Sequence, residues 1–343
     1  MAFSTQELYE GFPQANILSI FPAARSTALS GGIRASRLCH LSLPFRDLDV
    51  RDLETRSVGV VKMVTVKLVG GLGNQMFQYA LGRTIAHRRG TSLALDVSAF
   101  PDRKLRQYSL GVFKIVERFV PGGYPRHARL RALGQRLRLP GFTYILRERS
   151  FPFDPAVLDA PRNVYLAGYW QSEKYFKEIE DLIRRDFCFK SDPDAQNAAT
   201  AEKIKAVPSV CVHVRRTDYV TDPSANKHHG TCSLEYYRNA ASLIISQVRN
   251  PHFFVFSDEP DWARANLELA GPTTFVTHNG SEKGYEDLRL MALCRHHIIA
   301  NSSFGWWGAW LSNSGGIVVA PKKWFNIDEL DTRDLIPERW VRL

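Results

Sequence analysis

The segment from Val210 to Asp218 reads V-C-V-H-V-R-R-T-D and sets an imidazole, two guanidiniums and a carboxylate at the end of a β-branched run. Val210, Val212 and Val214 alternate with Cys211, His213 and Arg215, the period of a strand with one apolar face and one that turns polar, so Arg215 and Arg216 leave from opposite faces. In open α/β sheets ligands gather outside the carboxyl ends of strands, where arginines suit a phosphate because a guanidinium engages its oxygens two at a time. Taken alone, the same residues also fit an Arg–Asp surface pair capping a strand, an arrangement that contributes little. Similar polar tips recur downstream: Ser257 and Asp258 end the run H-F-F-V-F-S-D, and Asn301, Ser302 and Ser303 follow Ile298 to Ala300. A serine pair opening a helix is a phosphate seat, since hydroxyls and free helix N–H groups point together.

Nearer the start, V-T-V-K-L-V at 64–69 runs into G-G-L-G-N-Q at 70–75 and then into Met76 to Arg89 at helical spacing, a strand, glycine turn and helix. Gly70, Gly71 and Gly73 permit a tight turn and close approach of a ligand. Met76 stands where a dinucleotide fingerprint requires another glycine, so NAD binding loses support. Asn74 and Gln75 suit sugar hydroxyls or phosphate, or else cap the helix. Thr91 to Asp96 reads as the next strand, ending in a carboxylate.

The elements that must carry these groups alternate as strand and helix in both halves, which predicts an α/β protein of two doubly wound domains facing across a cleft. Three segments follow: 1–62 as a flexible N-terminal extension, 63–192 as a first domain and 193–343 as a second. The hinge falls in the small, polar stretch Lys190 to Ala201. Met63, directly before the first strand, is an alternative start. Arg126 to Arg149 reads as an arginine-rich amphipathic helix with Leu130, Leu133 and Leu137 on one face, able to lie peripherally on an anionic membrane, although a solvated surface helix is the commoner outcome. The loop with Asn226, His228 and His229 has no carboxylate or cysteine at a spacing that helps a metal, and at least two of Trp306, Trp307 and Trp310 are expected to pack.

A length of 343 residues with 44% hydrophobic and 11% aromatic content is enough for two cores and argues against wholesale disorder. The formal charge of +10 points to an anionic partner without choosing among nucleic acid, membrane and a phosphorylated small molecule. Five scattered cysteines without a CxxC pair argue against a disulfide framework or zinc cluster and for a reducing compartment. No apolar run reaches the ~20 residues that span a bilayer, and no signal peptide is evident, so a cytoplasmic protein, soluble or peripheral on the inner membrane, is expected.

H-V-R-R-T-D-Y matches the HxRRxD motif of fucosyltransferases, and the chain from about Val64 resembles the α1,2-fucosyltransferases through further segments in the same order. These are G-G-L-G-N-Q-M-F-Q-Y (70–79), G-Y-W-Q-S-E-K-Y-F (168–176), F-V-F-S-D (254–258) and I-I-A-N-S-S-F-G-W-W-G-A-W (298–310). The resemblance implies a GT-B fold and transfer of L-fucose from GDP-β-L-fucose, a co-substrate, to the 2-hydroxyl of a galactose-terminated glycan such as O-antigen, exopolysaccharide or oligosaccharide. It implies inversion, with no cofactor, metal or nucleic acid. It also implies Arg215 or Arg216 on the departing diphosphate, with His213 and Asp218 orienting that site or the fucose. Ser257, Asp258, Asn301, Ser302 and Ser303 would line the nucleotide side, and Gly71, Gly73, Asn74 and Gln75 would close the cleft. Asp96, Asp218 and Glu173 are candidate bases, none preferred. The Asp-x-Asp pairs Asp47/Asp49 and Asp192/Asp194 match a metal motif by letters only. The rivals are a nucleotide-linked oxidoreductase, which lacks the full glycine fingerprint, and a non-catalytic glycan-binding module, which would need no nucleotide.

Overall fold

Two parallel sheets organise the computed structural model, which describes residues 62–100, 107–120, 143–327 and 330–343; of Asp218 only the backbone is described. The expected extension, apart from Lys62, and residues 126–142 of the arginine-rich stretch lie outside the described residues.

The first sheet is built from β1 (Met63–Lys67), α1 (Leu72–Arg89), β2 (Ser92–Asp96), β3 (Tyr144–Arg147) and β4 (Val164–Ala167), with strand order β2-β1-β4-β3. All its pairings are parallel, with Val64 opposite both Leu93 and Val164. Helix α1 starts inside the glycine segment, four residues earlier than its apolar period begins, with extended Gly71 as N-cap, and ends on left-handed Gly90 (φ 55°). The described end of the arginine-rich stretch is strand β3, not helix: Tyr144–Arg147 pairs with Val164–Ala167. Its aromatic and β-branched residues, Tyr144 and Ile145, favour that choice once a neighbouring strand is present.

After α2 (Glu180–Asp186) come α3 (Ala195–Lys205), β5 (Ser209–Val214), α4 (Thr217–Thr221), α5 (Pro223–His229), α6 (Leu234–Gln247), β6 (His252–Ser257), α7 (Pro260–Asn266), β7 (Thr273–Val276), α8 (Gly284–Leu293), β8 (His296–Ile298), α9 (Ser303–Leu311), β9 (Val318–Ala320) and β10 (Val341–Arg342). The second sheet has the order β10-β9-β8-β5-β6-β7, again parallel. Every residue of β5 is buried, so the strand has no polar face of the kind its alternation suggests. Val210, Val212 and Val214 pack with Tyr237, Ala240 and Ile244 of α6, while Cys211 joins Ile204 of α3 and Met291 of α8 on the opposite side. Much of the segment read as a hinge is α3, capped by the Asp194 carboxylate, which accepts from the Asn197 N–H at 2.9 Å.

Both sheets lie within one compact unit, Lys62–Leu343. Their link is α9: Trp306, Trp307 and Trp310 are all buried, in a cluster with Phe77 of α1, Phe176 and Phe187. Each indole also finds an acceptor, Leu335 O at 2.9 Å, Gly73 O at 3.0 Å and Glu173 Oε2 at 3.1 Å respectively.

Candidate active site

The chain leaves β5 toward β6 and β7 on one side, then returns to put β8 on the other. A crevice outside the carboxyl ends at such a reversal is where an open sheet holds a ligand. Strand β5 brings His213 and Arg215 to this edge, and β8 with its following turn brings Asn301, Ser302 and Ser303.

Asp258, at the tip of β6, organises the β5 exit. Its carboxylate accepts from the backbone N–H of Arg216 (2.9 Å) and Thr217 (3.1 Å), covering the start of α4, and pairs with Nη1 of Arg215 at 3.0 Å. Ser257 accepts from the Glu259 N–H at 3.0 Å. The two arginines diverge. Arg216 pairs with Glu259 at 3.1 Å and lies 3.6 Å over the Trp262 ring, which makes it a bracing residue on α7. Arg215 lies 5.6 Å over the Tyr219 ring, and Tyr219 stacks on His229 at 4.6 Å.

His213 is buried against α9, and a Cβ on Gly305 would come within 2.5 Å of its Nδ1, so only glycine leaves room for the ring. Burial pushes the imidazole down to about 4, with Asp258 opposing and Arg215 adding to the shift, so it is neutral near pH 7. The N-terminus of α9 opens beside it: Ser302 caps the helix by accepting from the Phe304 N–H at 3.3 Å, and Ser303 is half-buried. The arrangement gathers one cation, a neutral imidazole and a helix N-terminus, all suited to an anionic leaving group.

Four residues expected to meet a ligand are instead internal. Asn301 is buried and its amide nitrogen donates to the carbonyls of His229 (2.9 Å), Gly230 (3.2 Å) and Trp324 (3.1 Å), so it clamps loops. Gln75 is buried, donating to Gly70 O at 2.9 Å and Gln107 O at 2.8 Å and accepting from Ser109 N–H at 2.9 Å. Gly73 faces protein: a Cβ there would lie 2.5 Å from the Ser303 carbonyl carbon. Asp96 is fully buried and accepts from Tyr165 Oη and, at 2.9 Å, from the Ser98 N–H, so it is no base in an open cleft. Glu173 is likewise taken up by Trp310 Nε1 and by Arg339 at 2.6 Å.

Gly71 and Asn74 stand where the start of α1 meets the exit of β4, and Asn74 Oδ1 accepts from Gln171 Nε2 at 2.8 Å. Sequence reasoning missed two supports here. Gln78 accepts from the Val69 N–H at 2.9 Å and donates to Gly168 O at 3.1 Å, tying the ends of β1 and β4. Its position three residues after Gln75, on the same helical face, was the available signal. Glu148, buried, accepts from the N–H groups of Tyr169 (2.7 Å) and Trp170 (3.0 Å). Among the described residues no group of three His, Cys, Asp or Glu side chains is assembled that could hold a metal ion, and no helix is long and apolar enough to cross a membrane.

Residues 148–343 match the sequence profile described as Glycosyl transferase family 11. The chain is 34% identical over 297 residues to the Alpha-1,2-colitosyltransferase of Escherichia coli, covering 82% of this chain and 99% of that protein. It is 32% identical over 304 residues to the O-antigen biosynthesis glycosyltransferase WbnK of Escherichia coli, covering 80% and 99%. It is 27% identical over 268 residues to Galactoside alpha-(1,2)-fucosyltransferase 2 of Sus scrofa, covering 75% and 72%.

Proposed function

Because this chain belongs to Glycosyl transferase family 11, we propose that it transfers L-fucose from GDP-β-L-fucose to the 2-hydroxyl of a terminal galactoside, with inversion and without a metal. The first sheet is then the acceptor side and the second the donor side of a GT-B arrangement, with the reaction between their carboxyl edges. The observation that carries this reading is the grouping of Arg215, neutral His213 and the α9 N-terminus at the reversal of the second sheet. As the bond from the sugar to the β-phosphate breaks, charge builds on the diphosphate. Arg215 and the first N–H groups of α9 would bind it there, which is the point where preorganised donors accelerate most. Asp258 keeps the guanidinium from swinging away. His213 and Ser303 remain to accept or donate hydrogen bonds at the same edge.

The name of the Escherichia coli relative at 32% identity supports an O-antigen acceptor. That of the relative at 34% supports a second reading, in which the transferred sugar is colitose. The test offers the purified chain GDP-fucose or the corresponding colitosyl nucleotide with lactose and N-acetyllactosamine, in EDTA, and reads the product linkage by NMR. Fucose on the galactose 2-hydroxyl is the expected product. Transfer of colitose alone selects the second reading, and turnover only after a divalent metal is restored overturns metal independence.

A further inference from the structure

Arg215 rests on more than its carboxylate partner. The 3.0 Å pair between its Nη1 and Asp258 defines a point of contact, and a partly exposed ion pair of that kind holds an orientation only weakly. Tyr219 supplies a second support: the guanidinium carbon lies 5.6 Å from the centre of its ring, within the ~6 Å over which a ring face attracts a cation. Helix α4, which carries Tyr219, is five residues long and mostly exposed, too short to hold a side chain by its own packing. Its ring is held from α5 instead. The Asn226 side-chain amide donates to Tyr219 O at 2.6 Å and draws α5 back on α4, and the His229 imidazole lies nearly parallel to the Tyr219 ring, 4.6 Å between centres and 9° between planes. His229 is fixed in turn by the ring of Phe325 at 5.4 Å and by buried Asn301, whose amide nitrogen donates to the His229 carbonyl at 2.9 Å. Tyr219 Oη also donates to Asn301 O at 3.4 Å.

We infer that Tyr219 and His229 are positioning residues that orient the Arg215 guanidinium toward the departing diphosphate, with Asn301 as their anchor. The inference rests on the role proposed above for Arg215 and adds residues that act on the reaction only through that side chain. Without either ring the guanidinium still pairs with Asp258 but also takes orientations that miss the phosphate, so preorganisation is lost and kcat falls while GDP still binds. Asn301, internal to the protein, thereby reaches the chemistry through two stacked rings.

The test is a double-mutant cycle on the full chain, with kcat measured at saturating substrates and Kd for GDP by calorimetry. Both donors considered above carry the same diphosphate, so the cycle uses whichever is turned over. Tyr219→Leu is expected to lower kcat about tenfold and to leave Kd for GDP within about twofold, and Tyr219→Phe, which keeps the ring, to recover most of the loss. His229→Ala is expected to lower kcat about fivefold. In an Arg215→Ala background these changes should have no further effect, because the group they orient is gone. A merely structural role would instead multiply with the loss from Arg215→Ala. The proposal is overturned if Tyr219→Leu, in a chain of unchanged circular dichroism, keeps the parent kcat, or if the losses multiply in the double variant. Should Tyr219→Leu fail to fold, His229→Ala with Arg215→Ala completes the cycle and is judged in the same way. Parent activity in Arg215→Ala, or no turnover of either donor, is a separate result that would overturn the reading of the site itself and this inference with it.

Discussion

Adjacent in sequence, Arg215 and Arg216 have separable consequences. Removing a cation that acts on a developing phosphate charge typically lowers kcat by about 10²–10³-fold, so Arg215→Ala is expected to fall in that range with its melting temperature nearly unchanged. Arg216→Ala should do the reverse: loss of the stacking on Trp262 and of a partly exposed ion pair removes roughly 1–2 kcal/mol of stability, read as a lower denaturant midpoint. Asp258→Asn loses the charge that holds Arg215 and leaves one oxygen for the two N–H groups of Arg216 and Thr217, so kcat should drop, with a modest fall in melting temperature, while folding survives. The pH dependence follows from buried imidazoles. His213 and His297 are both pushed by burial down to about 4. The unfolded chain then binds more protons between about pH 4 and 6.5, so stability is intact above 6.5 and is lost as pH falls toward 4, by about 3 kcal/mol per histidine at most. Asp287, pushed up to about 6 mainly by burial, acts in the opposite sense between about pH 4 and 6. Thermal melts from pH 7 to 4 should therefore fall more steeply in Asp287→Asn than in the parent chain. Equal slopes would contradict the assignment.

The elements with strong local signals were legible in the sequence. Strand His252–Ser257 and the Ser233-capped helix Leu234–Gln247 stand where their periods put them, because β-branched or aromatic runs and an N-cap serine are decided locally. Strand β3, helix α3 and helices α4 and α5 were not, since short or small polar segments take their state from neighbours. The site divided the same way. HVRRTD announced charge at a strand end, but nothing in the letters separates a ligand-facing amide from Asn301 or Gln75, whose partners lie up to 72 residues away. Gly73 is the sharpest case, because its lack of a side chain serves the crossing of α1 and α9 rather than a ligand. Gly73→Ala must push the start of α9 aside, at about 1–3 kcal/mol. A fall in melting temperature accompanied by a higher KM for donor is expected; an unchanged KM would mean that the displaced turn does not touch the nucleotide.

Across the whole molecule, the C-terminal segment binds the first sheet while its last strand belongs to the second. Lys174 meets Asp334 at 2.7 Å, Ser172 donates to Asp334 O at 2.7 Å, Arg339 meets Glu173, and β10 pairs with β9. Leu335, Ile336 and Trp340 are buried in the core built around α1. Calorimetry of the 62–343 unit is expected to give one transition, shifted as a whole by Trp307→Ala, at about 3–5 kcal/mol; two separable transitions would overturn this. The buried indoles of α9 also limit how such enzymes can be recombined. A chimera joined near residue 190 would bring one parent's α9 and tail against the other's Gly73, Glu173 and Phe176, so keys and locks would come from different proteins. Exchange of donor specificity between relatives therefore calls for crossovers that carry these sockets with the helix, and the unit of inheritance is the packed interface instead of the contiguous half.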